Sequence, residues 1–147
     1  MKISRAALTH LDGVATLFNN YRIFYEQDSN LDGCRDYIQQ RLSKNESVIF
    51  IAENEAGELV GFTQLYHSFC SVAMQPIVYL YDLFVDPSAR RTGVGRALMN
   101  HATAYSRESG ASRMQLDTAH DNMPGQSLYE SLGWVRDTHF YAYQLGL

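Results

Sequence analysis

The sequence predicts a mixed α/β sheet flanked by helices, and three observations carry that expectation. Three β-rich runs follow one another in the middle of the chain: Ser47–Glu53 (SVIFIAE), Leu59–Phe69 (LVGFTQLYHSF) and Ile77–Val85 (IVYLYDLFV). The last is nearly all apolar or aromatic, the pattern of a strand buried on both faces. Apolar residues at helical spacing stand before and after these runs. A glycine-containing segment, Asp86–Ala97 (DPSARRTGVGRA), joins the third run to a long helical stretch.

Taken in order, residues 2–7 read as a short first strand. Thr9 and Asp12 supply a capped helix start, after which Val14, Leu17, Phe18, Tyr21 and Tyr25 recur at helical spacing. A second helix runs from about Ser29 to Lys44, with Leu31, Cys34, Ile38 and Leu42 on one face. The turn Asn54–Gly57 folds the first two β runs into a hairpin, and Asp86-Pro87 ends the third. The helix that follows extends to Ser109, with Val94, Ala97, Leu98, His101 and Tyr105 as its apolar stripe and Gly110 as its stop. Arg113–Thr118 reads as a short strand, and Asn122 caps a short helix ending at Gly133. Trp134–Leu147, aromatic and alternating, reads as one or two closing strands. The order is β-α-α-β-β-β-α-β-α-β(β). With no repeat, linker or low-complexity stretch, residues 1–147 are expected to form a single domain.

At 147 residues, with 46% hydrophobic and 19% charged residues, the chain can bury a core without staples. A net charge of -4 argues against a nucleic-acid binder, which needs a basic face to release counterions. No apolar run approaches the ~20 residues of a membrane span, and MKISRAALTHLDG is not a secretory signal, so a cytoplasmic location and no membrane partner are expected. Cys34 and Cys70 form no CxxC pair and read as buried or free thiols of a reducing compartment. A Cys70–His67 nucleophile pair is rejected, because three residues apart on a strand puts the two on opposite faces. No ligand spacing implies a metal.

The glycine segment is the most informative. Gly93 and Gly95 remove side chains where the chain enters a helix, leaving backbone N–H groups around residues 91–96 to meet an anion with the help of the helix dipole. Arg90, Arg91 and Arg96 add positive charge. Such a loop suits phosphate or pyrophosphate. It is not a Walker loop, since Arg96-Ala97 follow Gly95, and not a dinucleotide fingerprint, since position 98 is Leu98.

Arg90–Gly95 has the form R-x-x-G-x-G directly after a strand ending DLFVDP, and so resembles the coenzyme A pyrophosphate loop of the GNAT superfamily of N-acetyltransferases. Asn122–Trp134 (NMPGQSLYESLGW) resembles that superfamily's N-x-x-A-x-x-(L/F)Y-E-x-x-G-(F/W) segment, with Gly125 where alanine is usual. The two matches cover about residues 77–135. FYEQDS near the N-terminus and FYAYQL near the C-terminus look like the bacterial polyamine- and histone-type branch.

The resemblance implies a GNAT-like mixed sheet whose central parallel strands, Ile77–Val85 and Arg113–Thr118, splay apart to admit pantetheine. It implies acetyl-CoA as co-substrate, with Leu83, Phe84 and Val85 offering main chain, Arg90 through Arg96 (Arg91, Thr92, Gly93, Val94 and Gly95 between them) holding the pyrophosphate, and Asn122 binding the cofactor or capping its helix. Backbone donors suit a developing oxyanion. The reaction it implies is direct attack of a neutral amine, of a small molecule or a protein, on the thioester, with Tyr129 as proton donor to the leaving sulfur.

The base is open. Many relatives carry glutamate where this chain has Tyr81, and Asp82 follows. Strand alternation puts Tyr81 and Asp82 on opposite faces, so only one is expected to face the amine. Asp82 is a base through water, an amine-binding carboxylate or a structural residue. Glu26 and Asp28 stand where a cationic substrate would pass, and His120 follows the splayed strand, but all three read more simply as solvated loop residues. The same features also fit a second class, a non-catalytic acyl-CoA-binding regulatory module, which turnover with amines would separate from an enzyme. The aromatic C-terminal strand predicts a homodimer.

Overall fold

The computed structural model describes all 147 residues, and the chain divides into two compact units, residues 1–117 and 118–147. The first holds β1 (Lys2–Arg5), a 3₁₀ turn (Leu8–His10), α1 (Leu11–Phe24), α2 (Leu31–Ser43), β2 (Val48–Glu53), β3 (Leu59–Cys70), β4 (Gln75–Val85), a second 3₁₀ turn (Pro87–Ala89), α3 (Val94–Glu108) and β5 (Met114–Gln115). The second holds α4 (Met123–Ser131) and the C-terminal tail.

The sheet has the order β1-β2-β3-β4-β5. β1 to β4 pair antiparallel, while β4 and β5 pair parallel. The expected mixed α/β architecture is therefore present. The β2–β3 hairpin follows from local chemistry. Asn54 Oδ1 accepts from the Ala56 and Glu58 N–H groups, at 3.0 and 2.9 Å, which folds β2 back into β3 in the manner of an Asx turn.

One face of the sheet packs against α1 and α2. Leu11, Val14 and Leu17 of α1 and Ile38 of α2 meet Ile49 and Ile51 of β2, Phe62 of β3 and Phe84 of β4. The residues on β2 recur at every second position and those on α1 at every third, as the two periods require. Phe62 is completely buried, and Phe18 and Tyr21 set their rings edge-on to it at 6.3 and 6.0 Å, a favoured aromatic geometry.

Four sequence expectations change. Thr9 does not cap α1: it lies inside the first 3₁₀ turn, where His10 Nδ1 accepts the Ala7 N–H at 2.9 Å. In α3 the buried stripe is Val94, Leu98, Met99, Ala102 and Ser106, and His101 is exposed. The phase was hidden because Ser106 is polar, yet its hydroxyl is satisfied by donating to the Ala102 carbonyl at 2.8 Å. The strand expected over Arg113–Thr118 shrinks to Met114–Gln115. The tail Trp134–Leu147 forms no strand, since a strand exists only with a neighbour and the last backbone bond in the tail is Trp134 N–H to the Tyr129 carbonyl.

Phe62→Ala removes the ring on which α1 is seated. It should lower unfolding stability by about 3–5 kcal/mol, read as a lower urea midpoint at unchanged m-value; a loss below about 1 kcal/mol would place the centre of the core elsewhere.

Candidate active site

The loop between β4 and α3 is built by its own polar groups. Asp86 accepts from Ser88 through both the backbone N–H at 2.9 Å and the hydroxyl at 2.6 Å. These bonds from Ser88 hold the Asp86 carboxyl below its ordinary range. Arg90 Nε donates to the Val85 carbonyl at 2.9 Å, with the guanidinium over the rings of Phe24 and Phe84 at 5.3 and 5.7 Å. Arg90 thus ties the loop to the end of β4 and to α1, while Arg91, Thr92 and Arg96 are exposed.

Gly93 is the left-handed residue that starts α3, with φ of 90°, a conformation open chiefly to glycine. The Ala97 N–H is the first to close on it, reaching the Gly93 carbonyl at 3.0 Å. The N–H groups of Val94 and Gly95 precede that ladder and face the entrance of the helix. A side-chain carbon built on Gly93 would meet no atom within 4 Å, so the space before the helix is open. Arginines, an open cradle and helix N–H groups are the donor set of a pyrophosphate site.

β4 supplies the second half. It pairs with β3 along nearly its whole length, but with β5 only at Val78 and Tyr79. Beyond those residues the edge toward β5 is free. The Asp86 N–H donates to the Val60 carbonyl at 2.8 Å; antiparallel alternation then turns the main chain of Phe84 to β3 and that of Leu83 and Val85 to the free edge. Of the three residues expected to offer main chain, Leu83 and Val85 turn theirs to the open edge, while Phe84 turns its main chain to β3 and its ring to the core.

Asp82 points from β4 into the face covered by α1 and α2. Its Oδ2 accepts from Gln64 Nε2 at 2.9 Å, and the Tyr21 side chain hydrogen-bonds the same carboxyl. Gln64 Oε1 in turn accepts from the Ser47 hydroxyl at 2.8 Å. Burial pushes the Asp82 carboxyl above its ordinary range, opposed in part by the bonds from Gln64 and Tyr21. Gln64, Ser47 and Tyr21 were not singled out from the sequence as site residues; a lone amide within the apolar β3 run was the available signal.

The alternation argument for Tyr81 and Asp82 does not hold. Gln64 pairs with Asp82 but Leu65 pairs with Leu80, so Tyr81 is the extra residue of a β-bulge. The bulge lets both neighbours reach the helix-covered face. Tyr81, 64% exposed, sets its ring edge-on to Tyr66 at 5.5 Å, and the Tyr66 hydroxyl meets that of Tyr37 in α2 at 2.8 Å. Burial, then the bond to Tyr37, pushes the Tyr66 phenol above its ordinary range.

The second unit carries the other motif. Asn122 Oδ1 accepts the Gly125 N–H at 3.2 Å while its Nδ2 donates to the Thr118 hydroxyl at 3.0 Å, so its side chain serves as the cap of α4. A β-carbon on Gly125 would lie 2.5 Å from Asn122 Nδ2; glycine, where alanine is usual, lets this cap close tightly. Tyr129 is half-buried on α4, its ring 6.4 Å from that of Trp134. Glu26, Asp28 and His120 are exposed. His67 Nε2 meets the Tyr105 hydroxyl at 2.7 Å rather than Cys70, and both cysteines are free.

A sheet opened between two parallel strands, followed by a helix entered through a left-handed glycine, defines a class of acyl-coenzyme A enzymes. The Acetyltransferase (GNAT) family matches residues 14–134, and the chain belongs to that family as an acetyl-CoA-dependent acetyltransferase. It is 46% identical over 147 residues to YhfO, an uncharacterised N-acetyltransferase of Bacillus subtilis strain 168, covering 100% of this chain and 98% of that one. A probable acetyltransferase of known crystal structure is 40% identical, with a TM-score of 0.94 over 100% of this chain and 98% of the other. The fold also matches an aminoglycoside N-acetyltransferase solved with CoA, at 22% identity and a TM-score of 0.83, over 98% of this chain and 93% of that one.

Because the folded chain holds the Asp82 proton more tightly than the unfolded chain does, its contribution to stability falls as pH rises from the ordinary aspartate range through the raised folded value. Asp82→Asn cannot ionise. It should be more stable than the native chain near neutral pH and lose that advantage in acid, as measured by thermal unfolding across pH; the reverse order would mean that the carboxylate is stabilised where it lies.

Proposed function

We propose that the chain moves the acetyl group of acetyl-CoA to a primary amine, on a small molecule or a protein, by direct attack in a ternary complex. Residues 1–147 act as one N-acetyltransferase domain, cytoplasmic and homodimeric. The observation that carries this reading is β4: a single strand turns main chain at Leu83 and Val85 to the edge that β5 leaves open and buries the carboxyl of Asp82 against Gln64 and Tyr21.

In this reading Leu83 and Val85 pair with the pantetheine arm. The helix-entrance N–H groups of Thr92 through Arg96, with Arg91 and Arg96, hold the pyrophosphate. Arg90 fixes the loop to Val85, and Asn122 keeps α4 in register. Acetyl-CoA supplies an acetyl thioester. Asp82, its proton affinity raised by burial, takes a proton from the attacking amine directly or through a water. Tyr129 gives its hydroxyl proton to the departing sulfur. One N–C bond forms, one C–S bond breaks, and solvent restores both side chains. The rings of Tyr21, Tyr66 and Tyr81 near Asp82 suit a cationic amine awaiting deprotonation.

Calorimetry with acetyl-CoA and thiol release over an amine panel test this. Native chain should bind and turn over, and Arg91→Ala with Arg96→Ala should weaken binding at least tenfold. Binding with no thiol release from any amine would leave a non-catalytic acyl-CoA module.

Tyr129→Phe should lower kcat about 10²-fold at unchanged acetyl-CoA affinity. In the native enzyme kcat/KM should rise with pH along a limb above the ordinary aspartate range, and Asp82→Asn should lose that limb; a limb unchanged in Asp82→Asn would remove Asp82 as base.

A further inference from the structure

The sheet face under α1 and α2 carries two neighbouring cross-strand rows. In the first, Ile51, Phe62 and Phe84 stand opposite one another on β2, β3 and β4, and all are buried. In the next, Ile49 stands opposite Gln64 and Gln64 opposite Asp82, with Ser47 just ahead of β2 and bonded to Gln64. This row is buried like the first, with Gln64 wholly so and Ser47 and Asp82 nearly so. A buried amide and carboxyl cost free energy unless their polar atoms are met, and no buried side-chain nitrogen or oxygen lacks a partner.

The bonds in this row all point one way. The Ser47 hydroxyl donates to Gln64 Oε1 at 2.8 Å, and Gln64 Nε2 donates to Asp82 Oδ2 at 2.9 Å. An amide has one accepting end and one donating end, whereas a carboxylate only accepts. Ionised Asp82 therefore needs the N–H end, which leaves Oε1 turned away and in need of a donor of its own. Ser47 is that donor. Without it the amide either buries an unmet oxygen or turns over and presents Oε1 to the carboxylate. In both cases its hold on the charged form weakens. Gln64 has no exposed surface, so it cannot touch an acceptor, and whatever it does for transfer it does through Asp82.

We propose that Gln64, oriented by Ser47, is a positioning residue for acetyl transfer: its N–H on Oδ2 keeps Asp82 in the basic form that receives the amine proton. This deepens the reading of Asp82 as base, on which it rests. The proton leaves the amine nitrogen as the N–C bond forms, comes to rest on Oδ1 and passes to solvent. Oδ2, then the carbonyl oxygen of the acid, goes on accepting from Gln64. The other groups around Asp82 do not replace the amide. Tyr21 of α1 hydrogen-bonds the same carboxyl and is kept in every variant below. Tyr66 of β3, pushed up by burial, stays protonated, and the exposed Tyr81 ring stands beside it. Beyond Tyr66, the Tyr37 hydroxyl of α2 meets its own, and Arg41, over the Tyr37 ring at 4.3 Å, is paired with Glu46 at 3.1 Å.

Two titrations of the full chain test this, in native, Gln64→Leu, Ser47→Ala and Ser47→Thr forms shown to be folded by circular dichroism. One follows the side-chain ¹³C carboxyl resonance of Asp82, assigned by its loss in Asp82→Asn. The other follows kcat/KM by thiol release from acetyl-CoA, with the amine of the panel that the native chain turns over fastest. Removing a donor disfavours the charged form, so Gln64→Leu should raise the Asp82 midpoint and the kcat/KM limb together by about one pH unit. At a pH below the limb that is about a tenfold loss of kcat/KM. Ser47→Ala should move both in the same direction by less, and Ser47→Thr, which keeps the hydroxyl, should restore them. If Gln64→Leu does not fold, Ser47→Ala against Ser47→Thr decides alone. Variants that lose rate at every pH with both midpoints unmoved overturn the proposal and make the row structural only. A limb that belongs to Asp82 but does not follow its midpoint in the variants overturns it too. A limb that persists in Asp82→Asn instead removes Asp82 as base, and the reading on which the proposal rests fails first.

Discussion

Everything in the first unit turns on how β4 is paired. On one side β3 matches it from Gln75 to Val85, while on the other β5 holds it only at Val78 and Tyr79. A buried strand cannot ordinarily leave half an edge without partners, because each bare N–H or C=O costs free energy. The chain closes part of this gap with one of its own side chains: Arg90 caps the Val85 carbonyl. What remains at Leu83 and Val85 is main chain with no partner strand on that side.

The bulge at Tyr81 is the second consequence of that strand. A regular β4 would have sent Asp82 and Tyr81 to opposite faces. The inserted residue keeps Asp82 opposite Gln64 and also carries Tyr81 beside Tyr66. The carboxyl is then buried against three polar groups, Gln64, Ser47 beyond it and Tyr21. These bonds keep the charge tolerable without neutralising it, since no cation is paired with Asp82. Retaining such a group is a stability cost of the kind found at sites that do chemistry.

Most of the fold was legible because local signals and tertiary packing agreed. The hairpin turn at Asn54–Gly57, the helix faces of α1 and α2, the glycine entry to α3 and the Asn122 cap all follow from residues close in sequence. What was not legible depended on partners distant in sequence. Thr9 lost its capping role to an imidazole one residue on. The stripe of α3 was misphased because Ser106 hides its polarity in a backbone bond. The bulge is a property of the β3–β4 register, which no periodicity in β4 alone reveals. The tail has the composition of a strand, but composition cannot supply a neighbour.

The two ends of the site are encoded in different ways, and this decides which was readable. Around the loop and the free edge the contributing groups are main chain: helix N–H groups, a left-handed Gly93, and the Leu83 and Val85 edge. Such groups need only a few fixed residues, so they leave a compact motif that survives wide change elsewhere. Around Asp82 the contributing groups are side chains from α1, α2, β3 and β4 and from Ser47 just before β2, brought together only by packing. They form no motif because no two of them need a fixed spacing. In the site as proposed, the shared chemistry is assigned to the backbone and the choice of acceptor to scattered side chains, so the sequence announces the first long before it discloses the second.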